Sequence, residues 1–179
     1  MLNFDYSIPT KVFFGKGKIS VLPKQIKKYG TKVLLVYGGG SIKKNGLYDD
    51  IVKGLNANSI DFWELSGVEP NPRITTVRKG VEICRKNKID LVLAAGGGSS
   101  IDCSKAIAAA YYYEGDAWDI VKDPSKISKV LPIATVLTLA ATGSEMDTFA
   151  VITDMDINEK LGTGHPDMEI GRAHVWTPV

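Results

Sequence analysis

One pattern occurs twice and leaves the chain few folds to choose from: an apolar run, three consecutive glycines, a serine and then a helical segment. In residues 91–110, LVLAAGGGSSIDCSKAIAAA, the run Leu91 to Ala95 is too short for a helix and suits a strand buried on both faces. Gly96, Gly97 and Gly98 let the backbone turn sharply and come close to whatever lies above the strand end. Ser99 and Ser100 are placed to cap the helix that follows, and Asp102 stands at capping-box spacing from Ser99. The alanines at 106 and 108–110 favour helix. Such a unit aims free backbone N–H groups and a helix dipole at one spot, where an anion, most simply a phosphate, is held.

Residues 33–43, VLLVYGGGSIK, repeat the pattern. Neither turn is the G-x-G-x-x-G fingerprint. Two such turns on neighbouring parallel strands would hold two ends of one extended phosphorylated ligand, a nucleotide or dinucleotide.

The remaining segments alternate strand and helix patterns. An edge strand is expected within residues 4–17, a helical stripe at Ile19, Leu22 and Ile26, and another at Leu47, Ile51 and Leu55. A short strand at 60–65 leads into the loop VEPNPR, residues 68–73, whose two prolines cannot continue it. Ile74, Val77, Val81 and Cys84 mark a further helix, and residues 130–136 a buried strand. Residues 111–128 read as a polar surface excursion, and 149–153 as one more strand. The fold class expected is α/β, a Rossmann-like parallel sheet with helices on both faces.

At 179 residues with 44% hydrophobic and 23% charged content, the chain supports one substantial core. A net charge of +2 with dispersed lysines asks for neither nucleic acid nor a membrane surface. Cys84 and Cys103 form no C-x-x-C pair and read as reduced core residues. With no leader-like segment and no long apolar run, a cytoplasmic location is expected. Residues 170–179, IGRAHVWTPV, look like a translated sequencing adapter. They are therefore set aside as a non-native tail, leaving residues 1–169 as one truncated dinucleotide-binding domain.

The two glycine turns, VEPNPR, AGGGSSIDCSK at 95–105 and TLAATGSEMD at 138–147 together resemble the iron-containing (group III) alcohol dehydrogenases, nearest their NADP-dependent butanol dehydrogenase branch. The resemblance implies a primary alcohol or aldehyde substrate, hydride transfer and a homodimer formed through the edge strand near Val12 to Phe14. It also implies a divalent metal, iron or zinc, whose ligands lie in a C-terminal helical domain beyond this chain, so that the chain itself is inactive. By the same resemblance Gly97, Gly98 and Ser99 would hold the pyrophosphate, and Asp102 would lie near the nicotinamide. Thr138 and Thr142 would line the adenine and phosphate side, Lys160 would reach the nicotinamide ribose, and Gly38, Gly39 and Ser41 would face the adenosine ribose. Structural alternatives stand beside these roles: Ser41 as a helix cap, Asp102 as part of a capping box, Lys160 as a solvated lysine, and the two threonines as hydroxyls satisfied within a turn. His165, before Pro166, reads as a surface residue.

The first turn is followed by Lys43 and Lys44 rather than by an acid, which favours NADP(H) over NAD(H). Rival readings are an NAD-dependent glycerol dehydrogenase or dehydroquinate synthase relative, and a nucleotide-binding module without redox chemistry.

Overall fold

The computed structural model describes residues 10–170 and 173–176. Six parallel strands build the main sheet: β1 (Val12–Phe14), β2 (Lys32–Tyr37), β3 (Asp61–Leu65), β4 (Leu91–Gly96), β5 (Ile133–Leu137) and, further along the chain, β8 (Ala173–Trp176). Their order is β1-β8-β5-β4-β2-β3. A separate antiparallel pair consists of β6 (Phe149–Asp154) and β7 (Glu159–Gly164).

Helices cover both faces because strand side chains alternate. On one face Val33, Leu35 and Tyr37 of β2 and Leu91, Leu93 and Ala95 of β4 pack with α1 (Leu22–Ile26), α2 (Ser41–Lys44) and α3 (Leu47–Ala57). On the other, Leu34, Val36, Val92 and Ala94 pack with α4 (Ile74–Asn87), α5 (Gly98–Ala110) and α6 (Ala117–Lys122). The chain passes from β2 to β3 on one side and, after returning over α4, from β4 to β5 on the other. The direction of winding therefore reverses between β2 and β4, and their carboxyl ends flank the crevice where open α/β sheets take ligands.

Helix α5 is buried on nearly every side. Ser100, Ile101 and the whole run from Cys103 to Ala110 are covered, which explains its small residues. Gly80 of α4 permits the close crossing of the two helices: a Cβ there would lie 2.3 Å from Ile107 Cδ1. Both cysteines are buried free thiols, as expected from sequence, and burial pushes the Cys84 thiol up to about 12.

Two expectations change, and two further segments take places that the sequence did not assign. Asp102 forms no capping box; α5 is entered from Gly97 without any side-chain cap, and the Asp102 carboxylate turns to another segment. The excursion at 111–128 contains α6, whose Ala117, Trp118, Ile120 and Val121 are buried, with Asp116 accepting from the Trp118 amide at 2.9 Å. Residues 149–153 are a strand, but in the antiparallel pair rather than the main sheet. The segment set aside as a tail contributes Ile170 to the core and β8 to the sheet, paired with β1 and β5. Of the expected edge strand only Val12–Phe14 is strand, and residues 4–9 lie outside the described residues.

Candidate functional site at the carboxyl edge of the sheet

Strand register brings the two glycine turns together. Tyr37 pairs with Ala95, and Gly96 with Leu137, so Gly38, Gly97 and Thr138 leave adjacent strands at one edge. The Thr138 amide donates to the Gly96 carbonyl at 3.0 Å, and the Gly67 amide to the Gly38 carbonyl at 3.2 Å. Neighbouring strands are roughly 4.8 Å apart, which sets residues 38–41 and 96–99 side by side at that edge.

The second turn presents the start of a long helix. The Ser100 and Ile101 amides bond to the Gly97 carbonyl, while the Gly98 and Ser99 amides begin α5 without an intrahelical acceptor or a side-chain cap. An anion meeting those amides also meets the positive end of a thirteen-residue helix. The loop after β5 closes over this point. A Cβ on Gly98 would fall 2.4 Å from Thr142 Oγ1, and one on Gly97 3.7 Å from Leu139 Cβ. At Gly98 only a bare backbone fits beneath that loop, whereas Gly97 is in ordinary contact with it.

The first turn is different. Gly40 has φ +104, and a Cβ on Gly39 would meet nothing within 4 Å, so this floor is open. Helix α2 has only four residues and supplies no long dipole. Ser41 is exposed, its side chain making no cap bond, and Lys43 and Lys44 stand on the same short turn. Lys43 is drawn into a cluster in which Glu64 accepts hydrogen bonds from the Tyr37 and Tyr48 hydroxyls, the latter at 2.8 Å. Its Nζ lies 4.0 Å from Glu64 Oε2 and 4.4 Å from the centre of the Tyr48 ring.

The loop over α5 is held from below. Asp102 Oδ1 accepts from Ser144 Oγ at 2.6 Å and Oδ2 from the Val151 amide at 3.0 Å. Lys105, whose side chain is fully buried, places Nζ 2.6–2.9 Å from the carbonyls of Ser144, Asp147 and Phe149 and 2.7 Å from Asp147 Oδ1. Burial lowers the Lys105 ammonium and raises the Asp102 carboxyl from their ordinary values, partly opposed by these partners. Thr142 Oγ1 accepts from the Ser144 amide at 3.3 Å. Lys160 on β7 donates to Asn71 Oδ1 at 2.7 Å, while the Thr153 amide donates to the Pro72 carbonyl, which ties the VEPNPR loop to the β6–β7 pair.

Gly38, Gly39, Ser41, Gly97, Gly98, Ser99, Thr138 and Thr142 therefore gather at one edge, with Asp102 beneath the loop and Lys160 reaching that edge through Asn71. Sequence reading missed Lys105, Ser144 and Asp147 as supports, and the Tyr37–Glu64–Tyr48 cluster. A single lysine inside an alanine-rich helix was the available signal for the first group. His165 is half-buried, and its Nδ1 accepts from the Asp167 amide at 3.2 Å. Among the described residues no three His, Cys, Asp or Glu side chains gather as metal ligands. The described side chains do not fit a metal. No helix of the described residues is long and apolar enough to cross a membrane.

Residues 9–169 match the model of the iron-containing alcohol dehydrogenases. The chain belongs to that family. It is similar to NADH-dependent butanol dehydrogenase A of Clostridium acetobutylicum, 73% identical over 94% of this chain and 43% of that protein. It is also similar to the NADPH-dependent aldehyde reductase YqhD of Escherichia coli, 42% identical over 89% of this chain and 41% of that one. Among solved structures, NADH-dependent butanol dehydrogenase A from Thermotoga maritima superposes with a TM-score of 0.92 at 45% identity, over 98% of this chain and 44% of that chain. The chain thus spans less than half the length of the alcohol dehydrogenases it matches.

Proposed function

We propose that the chain is the dinucleotide-binding part of a butanol dehydrogenase-like enzyme that interconverts a primary alcohol and its aldehyde by hydride transfer. The observation that carries this reading is the strand pairing that sets two glycine turns side by side where the winding of the sheet reverses. The Gly98 and Ser99 amides bind the pyrophosphate at the start of α5, with Gly97 giving it room, and Thr138 and Thr142 line the roof. Gly38, Gly39 and Ser41 receive the adenosine ribose, and Lys160 approaches the nicotinamide ribose. Asp102 and Lys105 act from below, fixing the loop of residues 139–149 so that the groove is preformed. When bound, the nicotinamide supplies the hydride-accepting carbon. The metal ligands belong to the part of the relatives that this chain does not span, and the chain alone binds coenzyme without oxidising alcohol.

NADH is the preferred coenzyme in this reading. The expectation of NADPH rested on Lys43 and Lys44 following the first turn with no acid beside them. Glu64, from a neighbouring strand, is that acid, and it already engages Lys43. Relatives at 73% and 67% identity are named NADH-dependent, and those at 42% and 36% NADPH-dependent, in keeping with this choice.

Fluorescence titration of the 179-residue chain with NADH and NADPH tests the reading. Saturable binding, tighter for NADH, is expected. Failure to bind either coenzyme would overturn it, and alcohol oxidation by the purified chain would overturn the assignment of the metal ligands to the missing part.

A further inference from the structure

The cluster beside the first glycine turn contributes little to holding the fold, yet it is built with care. Glu64 uses both carboxylate oxygens, one on each tyrosine hydroxyl, and Lys43 approaches the same carboxylate. The two rings meet edge to face at 5.8 Å, and Lys43 Nζ lies 4.4 Å from one centroid and 5.3 Å from the other. The Lys43 and Glu64 side chains are 50% and 34% exposed, a setting in which an ion pair adds little stability. Its position is more informative than its strength.

Each member sits where the first turn is made. Tyr37 ends β2 immediately before Gly38, Lys43 belongs to the helix that Gly40 opens, and Glu64 lies on β3 opposite Leu35, two residues short of that end. The Val68 amide donates to the Tyr37 carbonyl at 3.2 Å, which presses the end of β3 against the turn. Burial works against ionisation of Glu64, but the hydrogen bonds from Tyr37 and Tyr48 and the charge of Lys43 outweigh it and hold the carboxyl below its ordinary value. A carboxylate is therefore present at neutral pH. A doubly charged phosphate entering here meets a lysine already neutralised by a carboxylate, whereas a ribose hydroxyl meets no such penalty.

We propose that Glu64 is the residue that selects the coenzyme: by holding Lys43 against Tyr37 and Tyr48 and cancelling its charge, it disfavours a 2′-phosphate on the adenosine ribose. This assignment rests on the dinucleotide-binding reading above. Lys43 is the cation released when Glu64 loses its charge, and Tyr37 and Tyr48 are the positioning residues that aim the carboxylate at it.

Calorimetric titration of the full chain with two probes, ADP-ribose and 2′-phospho-ADP-ribose, tests this. The wild-type chain is expected to bind ADP-ribose the more tightly. Glu64→Gln, which keeps the size and an acceptor for the hydroxyls, should raise the affinity ratio of the phosphorylated probe to the plain one about tenfold. Adding Lys43→Met to Glu64→Gln should abolish that gain. Thermal unfolding monitored by circular dichroism confirms that each variant is folded. An unchanged ratio in folded Glu64→Gln overturns the assignment, as does a gain that persists in the double variant. Binding of neither probe by any form sinks the dinucleotide reading itself, and the assignment with it.

Discussion

The two glycine turns carry nearly the same residues and do different work. After β4 the chain enters a thirteen-residue helix that is buried almost throughout, and a loop presses down on Gly98 until there is no room for a methyl group. After β2 it enters a four-residue helix, Gly39 and Gly40 face open space, and the nearby chemistry comes from side chains on β2, β3, α2 and α3. The difference teaches that a glycine motif specifies a backbone approach and leaves its ligand chemistry to what surrounds it. One turn offers amides and a dipole suited to any phosphate; the other offers a charge-balanced cluster suited to telling riboses apart.

Substitutions can break or sharpen this contrast, and Lys105 gives the largest expected effect. Lys105→Met removes a buried donor shared by four oxygens under the loop and should cost about 3–5 kcal/mol in chemical denaturation. Gly98→Ala drives a methyl group into Thr142 and should cost about 1–3 kcal/mol while weakening coenzyme binding in the fluorescence titration. Equal stability of Gly98→Ala and wild type would show that the loop does not press on the turn.

A smaller effect is expected from Asp102, through pH. Burial raises its folded-state carboxyl above the ordinary 3.8, so its contribution to stability is complete below that pH and is lost as pH rises through the folded value. Thermal melts of Asp102→Asn across that range should lack this decline. The smallest effect belongs to Gly39→Ala, whose methyl group meets nothing: stability should stay within about 0.5 kcal/mol of wild type while affinity for ADP-ribose falls. A Gly39→Ala chain as unstable as Gly98→Ala would erase the contrast between the turns.

The parts of this site that could be read from sequence were local. Apolar runs ended by glycines announce β2 and β4 wherever they fall, and an alanine-rich segment announces α5. Asp102 was misread because capping spacing is a local cue, whereas its true partners, Ser144 and Val151, lie 42 and 49 residues away. The helix α6 was hidden by the polar residues around its four buried ones, and β7 by glycines and charges that form a strand only once β6 is alongside. Glu64 escaped notice as a neighbour of Lys43 because the two meet only after β3 has paired with β2. The segment at 173–176 shows the limit in the other direction: backbone pairing with β1 and β5 needs no side-chain pattern to announce it.

The placement of β8 between β1 and β5 also has a consequence for the order of folding. Val12 pairs with His174 across 162 positions of sequence (174 − 12), a far longer separation than that between β4 and β5. Docking of β1 therefore closes a long loop and follows assembly of β2, β4 and β5. Pulse-labelling hydrogen exchange during refolding should find the amides of β1 protected after those of β4.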